Sequence, residues 1–360
     1  MRVLQLIDSL RPGGAERMAL AYANALVPFV ERSFICCTRI EGTLKEEISS
    51  DVGYYYLNKR NSIDIRAFFR FYKIIKENHI DIVHAHSSSY FMASVLKMLG
   101  VKFKLVWHDH YGESEFLQRR KTAFLKLFSN YFDAIFSVNS KLQEWAQYEL
   151  QCNLVKVKSN FVIPETTINK DVTLKGGDVD FKIICVANLR PQKDHLNLIK
   201  AFEGLRSDRS ISLHLIGTDF NNEYSKRLKS YIATSPCRKN IYVYGAQQNV
   251  SSLLQQAELG VLSSRSEGLP LALLEYGMAG LPAVVTDVGE NKYVLKNMGR
   301  LVPPANTNAL ISAIEYYMLN EDIRTSDARN FKKHVTENYA SDVVISEVIE
   351  NYKYCMLNKN

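Results

Sequence analysis

Short runs rich in Val, Ile, Leu and Phe recur along the first half of the chain, at residues 2–8, 33–38, 81–86, 102–108 and 133–139, and each is followed by a longer amphipathic segment. This alternation predicts a parallel sheet covered by helices, because parallel strands need crossovers and the helices bury both faces. The pattern breaks over residues 157–180 (VKSNFVIPETTINKDVTLKGGDVD), whose Pro, Gly, Asn and Thr content marks a connection. It resumes at residues 181–188, 211–217, 240–245, 257–264 and 282–286. The expectation is an α/β chain of two doubly wound, Rossmann-like domains facing a cleft, over residues 1–165 and 175–338. The last segment, residues 340–360, carries a helical pattern with Tyr and Val at core spacing.

In open parallel sheets, ligands sit beyond the carboxyl ends of the strands. Several residues suited to phosphate chemistry fall there. Gly13 and Gly14 follow the first strand, Arg190 and Lys193 follow the run at 181–188, and Gly217, Gly245 and Glu267 follow the next three. Two cations at a strand-to-helix turn can neutralise a diphosphate, Arg in bidentate fashion and Lys as a point charge; composition alone favours a solvated turn. Paired glycines more often mean a tight turn, but they also permit close approach of backbone to a phosphate. No G-x-G-x-x-G is present, which weakens a dinucleotide reading.

Residues 265–286 (RSEGLPLALLEYGMAGLPAVVT) place two carboxylates, Glu267 and Glu275, at the ends of an apolar run. Pro270 suits the first turn of a helix and Gly280 its stop, so Glu275 is expected on a buried helix with no cation three or four residues away. Such a carboxylate needs a partner from elsewhere. Glu267 precedes the helix, where Gly268 and Leu269 have N–H groups that can donate to a ligand and Pro270 has none. This arrangement suits a phosphorylated ligand bearing hydroxyls.

The 360 residues suggest two domains, and 46% hydrophobic content is that of a globular chain. The first residues do not read as a secretory signal and no apolar run reaches about 18 residues, so a cytosolic protein is expected. Six scattered cysteines lack metal-ligand spacing and are expected to be reduced core residues. The net charge of +7 is uneven, +6 over residues 1–160 and +1 over the rest. Two stretches concentrate it with aromatics, residues 66–76 and 119–132. Both read as amphipathic helices, either ordinary surface helices or a means of attachment to the anionic inner face of a membrane. No nucleic-acid motif accompanies the charge.

Histidines pair at His84 and His86 and again at His108 and His110, each pair on one face of a strand. The spacing admits zinc, but neither pair has a nearby Cys or a helical i,i+4 His. Asp178 and Asp180 imitate an Asp-x-Asp metal motif but precede a strand, and read as a solvated linker.

Glu-x7-Glu within SEGLPLALLEYGMAGLPAVVT, GGAER at residues 13–17 and VANLRPQKDH at residues 186–195, in that family's order, resemble the family 4 retaining glycosyltransferases of the GT-B fold. The resemblance implies transfer of a hexose-type sugar from a nucleoside diphosphate to a glycan or lipid-linked acceptor hydroxyl, without cofactor or metal, in surface polysaccharide synthesis. It implies that Arg190 and Lys193 hold the donor diphosphate, that Glu267 contacts the sugar hydroxyls and that Glu275 contacts the nucleotide ribose. Gly13, Gly14, Gly217, Gly245, Gly268 and Leu269 would complete the donor site. It also places a His near the transferred sugar, His108 first and His110 second, although Val106 and Trp107 stand where the family often has Thr. The final helix would cross back to the first domain. Two other readings fit the same architecture, a nucleotide-sugar 2-epimerase and a non-catalytic nucleotide-sugar binding subunit.

Overall fold

The computed structural model describes residues 1–112, 114–164, 173–177, 179–247 and 250–358. Residues 165–172 of the connecting segment and Asp178 of the Asp-x-Asp sequence lie outside the described residues. Asp180 is exposed and ties its own turn to Ser210, whose N–H and hydroxyl donate to the Asp180 carboxylate.

The chain packs into two units, one formed by Met1–Ile163 with Ser341–Asn360 and the other by Pro164–Ala340. The first holds β1 (Arg2–Ser9), β2 (Arg32–Ile40), β3 (Gly53–Tyr56), β4 (Ile82–His86), β5 (Lys104–Asp109), β6 (Ala134–Ser137) and β7 (Val155–Val157). They form one sheet in the order β3-β2-β1-β4-β5-β6-β7, every recorded pair parallel. Its helices are α1 (Gly14–Ala25), α2 (Ile65–Glu77), α3 (Tyr90–Met98), α4 (Ala123–Ser129) and α5 (Ser140–Glu149). The second unit holds β8 (Phe181–Val186), β9 (Ile211–Ile216), β10 (Ile241–Gly245), β11 (Leu259–Leu262), β12 (Ala283–Thr286) and β13 (Arg300–Val302), ordered β10-β9-β8-β11-β12-β13 and also parallel. Its helices are α6 (His195–Gly204), α7 (Glu223–Thr234), α8 (Val250–Leu254), α9 (Leu271–Ala279), α10 (Asn291–Leu295), α11 (Thr307–Leu319) and α12 (Glu321–Tyr339).

The closing helix α13 (Ser341–Leu357) belongs to the first unit. Val344, Ile345, Val348, Ile349, Tyr352 and Cys355 are its buried stripe. Polar contacts fix it as well: Ser341 N–H donates to the Val162 carbonyl, Lys158 pairs with Glu347 at 2.7 Å, and Lys104 Nζ donates to the Asn358 carbonyl.

Strand alternation divides the first unit into two layers. Val83, Ala85, Leu105 and Trp107 pack with Phe71, Leu96 and Leu125 of α2, α3 and α4. On the other face His84, His86 and His108 pack against Tyr22 of α1, and His84 reaches Tyr352 of α13. Both halves of the basic, aromatic sequence are helical, but the second is shorter than expected, a 3-10 turn at Ser114–Arg119 followed by α4. Ile65, Phe69 and Tyr72 of α2 and Phe124 and Leu127 of α4 are exposed. Among the described residues no helix is long and apolar enough to cross a membrane. All six cysteines are free, four of them buried.

Candidate functional site

The carboxyl edge of the second sheet gathers the loops after β8, β9, β10 and β11, since these four strands run parallel. The loop after β8 is fastened on both sides. Leu189 N–H donates to the Thr218 carbonyl, and Thr218 N–H donates to Asn188 Oδ1. Gly217 makes this possible, because a Cβ there would lie 2.1 Å from the Ala187 carbonyl oxygen. Gly217 N–H donates in turn to the Gly245 carbonyl, and Gly245 ends β10 with φ +73°, a conformation glycine adopts without strain. The two glycines thus act as spacers that let three loops crowd one edge.

Arg190 opens a 3-10 turn, Pro191–Lys193, that delivers the chain into α6 through Asp194 at φ 48°. Lys193 Nζ meets both oxygens of Glu267, at 2.6 and 2.7 Å. The pair is largely sheltered, with side-chain exposures of 19% and 7%, so removing either partner leaves a nearly buried charge uncompensated. Ser264 Oγ donates to Glu267 Oε1 at 2.6 Å, and Ser263 Oγ donates to the carbonyls of Lys193 and Asp194. Arg265 Nε donates to Asp194 Oδ2 at 2.7 Å, while Arg265 N–H donates to the Gln192 carbonyl. The loops after β8 and β11 are therefore laced together through six residues, Gln192, Lys193 and Asp194 on one side and Ser263, Arg265 and Glu267 on the other. Arg190 is exposed, its guanidinium 4.8 Å above the Phe220 ring. Beneath this edge His195 is buried and its pKa is pushed down to about 4 by desolvation, so the cations on this turn are Arg190 and Lys193.

Glu267 leads into a buried loop, Gly268 to Pro270, and then α9. Pro270 is the N-cap of α9 rather than its first helical residue, and Gly280 closes the helix at φ +72°. Gly289 supports the loop from behind. A Cβ there would strike the carbonyls of Gly268 and Glu267 at 2.4 and 2.5 Å, and Glu290 N–H donates to the Gly268 carbonyl. α9 is anchored under the sheet by Tyr276, whose hydroxyl accepts from Val186 N–H and whose ring fills the space beside Gly260. Glu275 differs from the sequence expectation. It is half-buried rather than buried, because α9 buries Ala272, Leu273, Leu274, Tyr276 and Gly277, and position 275 lies with half-buried Leu271 and Met278 on the remaining face.

The remaining candidates lie in the first unit. Gly13 caps α1 in an extended conformation, Gly14 is exposed, and the Glu16 carboxylate lies so close over Gly13 that a Cβ would meet it at 2.2 Å. His108 is fully buried, with Nδ1 3.2 Å from His84 Nε2, whereas His110 keeps some exposure and its Nε2 lies 2.9 Å from His86 Nδ1.

The structure brings Lys193 and Glu267 together and sets Arg190 on the same turn. Ser263, Ser264, Asp194, Arg265 and Gly289 were not foreseen. Asp194 tolerates a left-handed turn better than most residues, but Asp is too common in other conformations to locate one, and the serines carry no spacing rule.

Comparison with known proteins completes the picture. The model for Glycosyltransferase Family 4 matches residues 12–165, and that for glycosyl transferases group 1 matches residues 169–336. The capsular polysaccharide biosynthesis glycosyltransferase CapH of Staphylococcus aureus is 24% identical over 306 residues, covering 82% of this chain and 83% of its own. The Escherichia coli UDP-Gal:alpha-D-GlcNAc-diphosphoundecaprenol alpha-1,3-galactosyltransferase is 24% identical over 272 residues, 70% of each chain. The crystal structure of Anabaena HepE in complex with UDP-glucose superposes with a TM-score of 0.81 at 16% identity, covering 98% of this chain and 100% of that one. Two parallel sheets with these neighbours are the GT-B fold. The chain belongs to the family 4, group 1 glycosyltransferases and is a glycosyltransferase enzyme.

Proposed function

We propose that this enzyme transfers a hexose-type sugar, with retention at the anomeric carbon and without a metal in the transfer step, from a nucleoside diphosphate to a hydroxyl of a glycan or lipid-linked acceptor in surface polysaccharide synthesis. The observation that carries the reading is the Lys193–Glu267 pair at the carboxyl edge of the second sheet, with Arg190 beside it. When the donor binds, Lys193 turns from Glu267 to the diphosphate, and Glu267 is released to accept from sugar hydroxyls. Lys193 and Arg190 then stabilise the charge that develops on the leaving diphosphate, the step at which preorganised cations lower the barrier most. Phe220, already under the Arg190 guanidinium, holds that cation in place. Glu275 on α9 contacts the ribose; Gly13, Gly14 and His110 in the first unit serve the sugar and the acceptor. That two relatives are named for undecaprenol-linked substrates supports a lipid-linked acceptor. HepE, solved with UDP and with UDP-glucose, supports UDP as the nucleotide.

The exposed Ile65, Phe69, Tyr72, Phe124 and Leu127, interspersed with Arg66, Arg70, Lys73, Lys121 and Lys126, are the surface we assign to an anionic bilayer where such an acceptor resides. α3 lies between α2 and α4, joined to them by Phe91 packed edge-on to Phe68 and Phe128.

The test is incubation with UDP-, GDP- and ADP-sugars, with and without a diphosphoundecaprenol-linked acceptor, followed by NMR of the product. Transfer in the acceptor's presence alone, with an α linkage from an α donor, is the expected result. An epimerised sugar formed without acceptor would move the assignment to a 2-epimerase, and donor binding without turnover would make the chain a binding subunit.

A further inference from the structure

Alternation along β4 and β5 brings His84, His86 and His108 to one face of the first sheet, and His110 continues the series just past the end of β5. The four imidazoles form two rows. Along each row the rings lie edge to edge. His84 and His108 have centroids 5.2 Å apart and planes inclined by 4°, with Nε2 3.2 Å from Nδ1. His86 and His110 have centroids 5.2 Å apart and planes inclined by 20°, with Nδ1 2.9 Å from Nε2. One row stacks on the other, His84 on His86 at 4.4 Å and His108 on His110 at 4.1 Å. The hydrogen bonds thus run within the rows, and they occupy the nitrogens that a zinc ion would need.

The far end of the second row fixes its direction. Gln5 Oε1, from β1, lies 2.8 Å from His86 Nε2, and an amide oxygen only accepts, so His86 carries its proton on Nε2. Burial depresses the pKa of His86 well below its usual range and that of His110 to about 3, so each ring is neutral with a single N–H. His86 Nδ1 is then a bare acceptor, and the 2.9 Å bond requires His110 to donate from Nε2. His110 is left with a lone pair on Nδ1. No hydrogen-bond partner among the described residues meets that nitrogen, and His110 keeps some exposure where the other three rings have none.

The first row agrees in sense. Against the larger effect of burial, the Lys158 backbone favours a protonated His108, so its carbonyl faces Nε2–H. His108 Nδ1 then accepts from His84 Nε2, and His84 Nδ1 accepts from the Tyr352 hydroxyl at 2.6 Å. The Tyr352 oxygen is left to accept, and Gln5 acts on it as a donor, which puts the amide nitrogen on that side and the amide oxygen on His86. The contacts of His108 Nε2 and Gln5 Nε2 fall short of full hydrogen-bond geometry, yet both point the same way as the rest.

We propose that Gln5 and His86 are positioning residues for sugar transfer, locking His110 as its Nε2–H tautomer so that Nδ1 stands as a permanent acceptor for a hydroxyl of the bound sugar. The proposal rests on the assignment of His110 to the sugar and acceptor made above. A ring that stays neutral at physiological pH orients the hydroxyl and does not deprotonate it. The opposite tautomer presents an N–H, which a hydroxyl meets only by turning its own proton elsewhere. Turning the Gln5 amide end for end would reverse both donors in the row, so the tautomer of His110 reads the chain directly.

The experiment is 15N–1H correlation of the histidine side chains in the full chain at pH 7.5, with His110 assigned by its absence from the spectrum of His110→Gln. A pyrrole-type Nε2 and a pyridine-type Nδ1 are expected in both His86 and His110, and an Nδ1–H tautomer in His110 would overturn the proposal. Gln5→Met keeps the packing and removes the acceptor. It should shift His110 toward Nδ1–H and lower kcat/KM for transfer by about 10-fold, the equivalent of one lost hydrogen bond. A merely structural Gln5 would lower Tm and leave the tautomer as it was, and a switched tautomer with transfer unchanged would equally overturn the proposal. Should Gln5→Met not fold, His86→Phe removes the same acceptor from His110, and the wild-type spectrum stands without either variant. A wild-type chain that epimerises its donor, or only binds it, would contradict the transfer reading, while the spectrum still judges the tautomer.

Discussion

Seventy-four residues separate Lys193 from Glu267, yet their charged groups meet at 2.6 Å. Without donor the pair neutralises two charges that would be costly to leave alone in so sheltered a place. In the proposed mechanism the lysine exchanges one anion for another of greater charge when donor binds. Lys193→Ala should therefore lower kcat by 10²–10³-fold, about 3 kcal/mol of transition-state stabilisation. Unpaired Glu267 would also cost stability, so Tm must be measured beside kcat and Lys193→Met included as a variant that keeps the packing. Full activity in Lys193→Ala would remove the lysine from the mechanism. Which residues carry charge was legible from residue type and position after a strand. That Ser264 and the Asp194–Arg265 pair brace them was not, because an Asp at φ 48° and a Ser three residues before a Glu follow no local rule.

At the scale of elements, β4 and β5 carry the unusual chemistry of the first unit. Four histidines with pKa values held below the unfolded value of about 6.5 bind fewer protons in the folded state than in the unfolded one. Stability is then full above about pH 6.5 and falls as pH drops through that value, by about 1.4 kcal/mol per pH unit for each such histidine. For His110 the loss runs down to its folded pKa of about 3. Urea unfolding between pH 7.5 and 5 should show a steep decline, and a flat profile would mean the rings are hydrated and charge freely. Long strands and amphipathic helices were legible because their periods repeat several times. The strands β3, β7 and β13 were not, since GYYY, VKV and RLV do not stand in a run rich in Val, Ile, Leu or Phe, whereas the equally short β6, β11 and β12 do. Glu275 shows the opposite error: the apolar residues around it, Leu273, Leu274, Tyr276 and Met278, suggested burial, while helical geometry turns that position to the half-buried face.

At the scale of the whole molecule, the positive surplus in residues 1–160 coincides with the exposed aromatic and aliphatic side chains of α2 and α4. Vesicles containing phosphatidylglycerol should sediment the protein and pure phosphatidylcholine should not. Phe69→Ser with Phe124→Ser should abolish sedimentation without altering transfer to a water-soluble acceptor; equal binding to both vesicles would refute an electrostatic contribution. Everything proposed about transfer depends on where the diphosphate binds. A crystal structure with UDP measures this directly: the account predicts phosphate oxygens within hydrogen-bond distance of Lys193 Nζ and the Arg190 guanidinium, at the loops after β8 and β11. UDP bound elsewhere, with Lys193 still on Glu267, would contradict it.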